Sequence, residues 1–229
     1  MTEQPTLVGS YDLGQYVLLP SERDRECLTR LGHFGRDLEH AKEKVNSRRG
    51  PIDDRLIRLD AAIPGKVATV LTLSEAFYLA YALGCLTIRS DSAIITLDSC
   101  WHLFRQYYSE TNSPHDFAIE YGLYHYFRSR GWVVHSGENY GANFLLYKEG
   151  PSIDHAHYAV SIFLDKAETE ANCKWETLIT FSRVLQSVSK EFMLAHVLVP
   201  PGLSFDRPEC IKEMRIITRI FSAHPDISS

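Results

Sequence analysis

The chain has 229 residues, a formal net charge of −5 and a sequence pI of about 6.1, with 45% hydrophobic, 11% aromatic and 23% charged residues. These proportions exclude an intrinsically disordered chain, and the length suffices for one large domain or two small ones, each able to bury a core without disulfides or metals. The acidity excludes binding of nucleic acid by bulk charge, so any RNA contact requires a local basic patch or a basic partner subunit. The five cysteines form no close pairs of metal-ligand spacing, and they fit reduced thiols inside a cell. The first residues, MTEQPTLVGSYDLG, lack the basic flank and apolar run of a signal peptide, and no later stretch reaches membrane-spanning length. An intracellular protein without a transmembrane segment is expected.

In chain order, residues 21–49 carry Leu28, Leu31, Phe34, Leu38, Ala41 and Val45 at roughly helical spacing, interrupted by Gly32 and Gly35. This predicts an amphipathic, broken helix that Gly50-Pro51 ends. A β-rich run over 67–73 leads into a short apolar helix capped by Ser74-Glu75 and closed by Gly84. Strands come next around 86–88 and 93–95 with a turn between them, and then a helix capped by Asp98 that runs to Tyr108. The polar stretch 109–114 marks a boundary, which divides the chain into residues 1–112 and 113–229. Ser113 as N-cap and Pro114 as first helical residue announce a helix with Phe117, Tyr121, Tyr124 and Phe127 on one face, stopped by Gly131. Strands are read over 132–134, 143–147 and 158–164, a helix over 177–189, and a buried strand over 191–199. The class is α/β of the α+β kind: a small N-terminal α+β domain and a C-terminal domain with a mixed sheet.

Tyr147 ends a predicted strand, His155 comes after a loop containing Gly150-Pro151, and Lys190 stands at a helix-to-strand junction. Element ends are where a rigid scaffold presents side chains to solvent. On residues alone, each also has a plain structural explanation: a half-buried strand tyrosine, a loop histidine and a solvated helix end. His155 and His157, two apart, share a face if they lie on a strand, but no cysteine or carboxylate at a supporting spacing completes a zinc site. No glycine-rich phosphate loop is present, and residues 137–141 read as a turn.

Residues 121–199 resemble the catalytic domain of the tRNA-splicing (tRNA-intron) endonucleases. The resemblance runs through YGLYHYFRSRGWVVHSGENYGANFLLYKEGPSIDHAHYAVSIFL and FSRVLQSVSKEFML, with weaker likeness in LTLSEAFYLAYALGCLTI and PECIKEMRIITRIF. It implies a restriction-endonuclease-like nuclease domain. Tyr147 then matches the tyrosine ending the FLLY motif, His155 the histidine after GP, and Lys190 the lysine of SKE. Arg183 matches an RNA-binding arginine that clamps a bulge base against an aromatic partner, for which only Phe221 and His224 are available here. Asn143 replaces the aspartate usual in the DFLLY motif. The Tyr147 to His155 spacing and the PEC segment look like the eukaryotic subunit assigned to the 5′ splice site; its sister at the 3′ site is the alternative.

The resemblance implies an endoribonuclease that cuts intron-containing precursor tRNA without metal or cofactor. The ribose 2′-hydroxyl attacks phosphorus and leaves a 2′,3′-cyclic phosphate and a 5′-hydroxyl. One group must take a proton, one must give one, and one must stabilise charge. Tyr147 is assigned the base, His155 the acid and Lys190 the stabilisation. A phenol of ordinary pKa near ~10 is about 0.1% ionised at pH 7, so the base role needs a lowered pKa or concerted proton removal. The implied partners are a second catalytic subunit and two structural subunits in a heterotetramer, with the last segment, residues 192–199 and beyond, expected to lend a strand to a partner's sheet. The expected compartment is the nucleus, or alternatively the mitochondrial outer surface. A non-catalytic structural subunit and a self-sufficient homo-oligomer are the rival readings.

Overall fold

The computed structural model describes residues 7–11, 16–37, 69–90, 93–164 and 190–221. The chain divides into two compact units, Met1–Phe117 and Ala118–Ser229. Each is built on its own sheet, and the class is mixed α+β.

In the first unit, β1 (Leu7–Ser10) pairs antiparallel with β2 (Tyr16–Leu19) and parallel with β5 (Leu86–Ser90). β3 (Arg36–Asp37), β4 (Thr69–Thr72) and β6 (Ala93–Ile94) complete the order β3-β4-β2-β1-β5-β6. Helix α1 spans Glu22–Gly32, so its described part is shorter than the 21–49 periodicity suggests. It stops because His33 turns left-handed, with the His33 N–H donating to the Thr29 carbonyl and the Phe34 N–H to the Leu28 carbonyl, and the chain then enters β3 through Gly35 at φ 77°. A Cβ at Gly35 would fall 2.5 Å from Thr69, which explains why glycine stands at this crossing. Residues 38–68, which held the rest of the expected helix, lie outside the described residues.

Helix α2 (Leu73–Phe77) begins with Thr72 as its cap, not Ser74-Glu75. The physical reason is a capping box. The Thr72 hydroxyl accepts from the Glu75 backbone N–H, and the Glu75 carboxylate accepts from the Thr72 N–H at 2.9 Å. Glu75 is only 2% exposed, and its other oxygen accepts from the Gly35 N–H at 3.0 Å, tying the helix to the turn before β3. Glu75→Ala strands both N–H groups. It is expected to lower unfolding stability by about 2–3 kcal/mol, read from the denaturant midpoint.

A π-helical turn, Tyr78–Ala82, extends α2. Helix α3 (Leu97–Glu110) is capped by Thr96, whose hydroxyl accepts from the Ser99 N–H, so the expected cap Asp98 instead lies within the first turn. Phe77, Trp101, Phe104 and Phe117 form the aromatic heart of this unit, with Trp101 5.1 Å from Phe77 and 5.4 Å from Phe117 between ring centroids.

Helix α4 (Phe117–Arg128) starts at Phe117 rather than Pro114, and the Asp116 carboxylate before it takes two bonds from the Arg105 guanidinium. Gly131, at φ 84°, ends this segment as expected. The second sheet runs β11-β10-β9-β8-β7, formed by β7 (Val133–Ser136), β8 (Phe144–Tyr147), β9 (Tyr158–Leu164), β10 (Glu191–Leu198) and β11 (Arg215–Phe221). All neighbours are antiparallel except β9 and β10, which are parallel. β10 is therefore internal, bonded to β9 on one side and β11 on the other. Of the segment expected to lend a strand to a partner's sheet, 192–199 and beyond, β10 thus has both edges occupied within the chain, and β11 stands at the end of the sheet order. Across the second unit, Tyr124 of α4 meets Phe144 of β8 edge-on at 5.9 Å.

Candidate active site

The register of the second sheet decides which side chains can meet. Leu145 pairs with Ala159, and Ala159 pairs with Phe192, so these three residues share one rung across β8, β9 and β10. Side chains two residues apart on a strand share a face, and Tyr147 and Lys190 both stand two residues beyond this rung, in the same direction. They continue the same face at the same end of the sheet. Between them, His157 ties the strands together: its backbone N–H donates to the Leu146 carbonyl at 2.8 Å, and its carbonyl accepts from the Glu191 N–H at 3.1 Å. Tyr147 thus comes just after one anchor of His157, Lys190 precedes the other, and His155 lies two residues before His157 itself. All three backbone positions therefore lie at one end of the sheet.

The loop that carries His155 turns at Gly150, whose φ of 121° suits a residue without Cβ. The Gly150 carbonyl accepts from the N–H groups of Ile153 and Asp154. Asp154 organises the two histidines beyond it: Oδ1 accepts from the His155 backbone N–H at 2.7 Å, and Oδ2 meets His157 Nε2 at 2.7 Å. The bond with His157 holds the Asp154 carboxyl below its usual range. The two histidines therefore differ in role. His157 is engaged with Asp154 and lies edge-on to Trp132, whereas His155 is exposed. Among the described residues, no three His, Cys, Asp or Glu side chains converge as a metal site requires.

Tyr147 is half-buried and packs, with Tyr140, against the apolar cluster of Ala142, Leu145, Ala156, Ala159 and Phe192. Burial is the main influence raising its pKa above the ordinary phenol value, and the Tyr140 phenol adds to it. Tyr147 is consequently a neutral phenol at neutral pH, the opposite of a pre-formed phenolate. The Lys190 ammonium lies 4.9 Å from the centre of the Tyr140 ring. Tyr140 itself sits in a short 3-10 turn, Glu138–Tyr140, held by a bond from its own N–H to the Gly137 carbonyl.

Residues 117–201 match the family model described as the tRNA intron endonuclease catalytic C-terminal domain. This stretch contains all three residues. Residues 117–201 belong to the tRNA intron endonuclease family. The chain is 39% identical over 159 residues to the mouse (Mus musculus) tRNA-splicing endonuclease subunit Sen2, covering 66% of this chain and 33% of that protein. It is 33% identical over 211 residues to the chicken (Gallus gallus) Sen2 subunit, covering 88% of this chain and 42% of the relative. It is also 28% identical over 186 residues to a tRNA-splicing endonuclease of Sulfurisphaera tokodaii, covering 81% of this chain and 88% of that protein. The chain thus spans less than half the length of these vertebrate relatives.

Two positions the family pattern raised have a structural answer. Asn143 bridges β8 to β9: its N–H donates to the Val160 carbonyl, and its side-chain oxygen accepts from the Ile162 N–H at 2.9 Å. An aspartate offers the same acceptor, so the exchange leaves this brace intact. Phe221 stacks on Phe192 at 5.4 Å and forms part of the packing against the cluster. Arg183 and His224 lie outside the described residues, as does the expected helix over 177–189. Sequence reading did not single out Tyr140 or Asp154. Their signals were present, an aromatic ahead of FLLY and a carboxylate beside the histidine, but only the fold shows what they touch.

Proposed function

We propose that this chain is the catalytic subunit of a tRNA-splicing endonuclease, cutting intron-containing precursor tRNA at an intron–exon junction, the 5′ splice site by preference. The observation that carries this reading is the shared position of Tyr147, His155 and Lys190 at one sheet end within a domain of this family. Tyr147 removes the proton from the ribose 2′-hydroxyl as that oxygen attacks phosphorus. Because Tyr147 starts as a neutral phenol, it must release its own proton to solvent as it takes the proton of the 2′-hydroxyl. His155, exposed on its loop, protonates the departing 5′ oxygen. Lys190 places an ammonium against the phosphate oxygens as negative charge builds on them. The products are a 2′,3′-cyclic phosphate and a 5′-hydroxyl. Arg183 contributes to holding the RNA.

The partners in this reading are a second catalytic subunit and two structural subunits, forming a heterotetramer in the nucleus. The Sen2 relatives, called subunits, support an assembly, and with a net charge of −5 the RNA contact rests on a local basic patch or on basic surface from a partner. One observation favours a second reading, a self-sufficient homo-oligomer: the chain covers 88% of the Sulfurisphaera tokodaii endonuclease.

The test is incubation of the chain, alone and with its co-purifying subunits, with end-labelled intron-containing precursor tRNA in excess chelator. A cut at the 5′ junction with a cyclic phosphate end is expected. Cutting by the isolated chain selects the homo-oligomer, and loss of cutting on chelation overturns the metal-independent mechanism.

A further inference from the structure

We infer that Tyr140 is a positioning residue of the active site, a π-face that holds the Lys190 ammonium where the scissile phosphate must lie. The inference rests on the reading of Lys190 as the group that stabilises charge.

The geometry is that of a cation–π contact. Lys190 Nζ lies 4.9 Å from the Tyr140 ring centre, inside the roughly 6 Å over which a ring quadrupole attracts a cation. A lysine side chain has a flexible four-carbon stem, and a strand end does not by itself fix where its ammonium points. Tyr140 is fixed from both sides. Its backbone is pinned by the turn at Gly137, where an added Cβ would lie 2.9 Å from the Ala142 carbonyl oxygen, and its ring packs on the cluster that also seats Tyr147. Tyr140 and Tyr147 pack on the same cluster, and the Tyr140 phenol acts on that of Tyr147, so Tyr140 neighbours both groups. One aromatic side chain thus borders both the lysine and the tyrosine of the site. A π-face suits this task better than a carboxylate. It confines the ammonium without neutralising it, so the full positive charge remains for the phosphate.

Single-turnover cleavage of precursor tRNA by the assembled enzyme separates the possibilities. Y140F keeps the π-face and is expected to cut within about threefold of the parent. Y140L removes it and is expected to slow cleavage roughly three- to thirtyfold, the rate equivalent of a cation–π contact. RNA binding and melting temperature should stay as in the parent. In a K190A background, Y140L should cause no further loss, since there is no ammonium left to place. If Y140L unfolds the domain, Y140M, an apolar filler without a π-face, serves in the same comparison. A fast Y140L beside a slow K190A overturns the inference while leaving the catalytic reading standing, as does an undiminished Y140L loss on K190A. A K190A enzyme that cuts at full speed overturns the catalytic role of Lys190 and this inference with it.

Discussion

Replacement of His155 or of Lys190 by alanine is expected to lower the single-turnover rate of precursor tRNA cleavage by roughly two orders of magnitude or more, with the fold intact. The size reflects the contribution of each group. Without a general acid, the 5′ oxygen departs as an alkoxide in water, and general acid–base catalysis of this kind typically contributes roughly 10²–10⁴-fold. Removal of a charge-stabilising donor from a preorganised site costs on the order of 10²–10³-fold. Neither substitution should disturb folding. His155 is exposed, its bond to Asp154 is made by the backbone, and alanine keeps that N–H. Lys190 precedes β10, whose pairing with β9 is carried by backbone groups that alanine retains. Wild-type rates for either variant in the complete complex would return the chain to the structural-subunit reading.

Trp101→Ala should produce the largest loss of stability, about 3–5 kcal/mol. Trp101 is fully buried in α3 and lies within 5.1 Å of Phe77 and 5.4 Å of Phe117, ring centre to ring centre. Deleting the indole removes transfer free energy and leaves a void lined by rings that pack edge-on and cannot collapse into it without leaving their rotamers. Chemical denaturation reads the effect. A loss below about 1 kcal/mol would mean that the aromatic heart of the first unit is loosely packed. Trp101→Phe should recover part of the loss, because it restores most of the ring area.

The strands that build the candidate site were legible because their residues are apolar in short runs: 144–147, 158–164 and 191–198 fall within a residue or so of the expected segments. The caps were less so. Thr72 and Thr96 both stand a couple of residues before the polar residues chosen from sequence, since a threonine ending a strand looks like β structure until its hydroxyl is seen to accept from the helix. β11 was not anticipated as a strand. RIITRIF alternates only weakly and leaves Ile217 and Ile220 exposed, so its pattern names no inner face. The positions of Tyr147, His155 and Lys190 at element ends could be read, but their placement at the same sheet end could not. It depends on β9 and β10 running side by side in parallel, a pairing that no local pattern announces. Tyr140 was hidden for the same reason, because its partner is fifty positions further along the chain.

The parallel pairing of β9 with β10 also governs when the proposed site can form. During synthesis the tyrosine and the histidine leave the ribosome well before the lysine, and a hairpin of β8 and β9 can close as soon as Leu164 has emerged. The lysine reaches its place only when β10 has been made and has crossed back to lie beside β9, a distant contact that forms late. A nascent or half-folded chain therefore holds two of the three proposed groups and no site. On the proposed reading, in which the substrate is RNA and the chain is born next to ribosomes rich in it, the order of the strands acts as a safety catch that only complete folding releases.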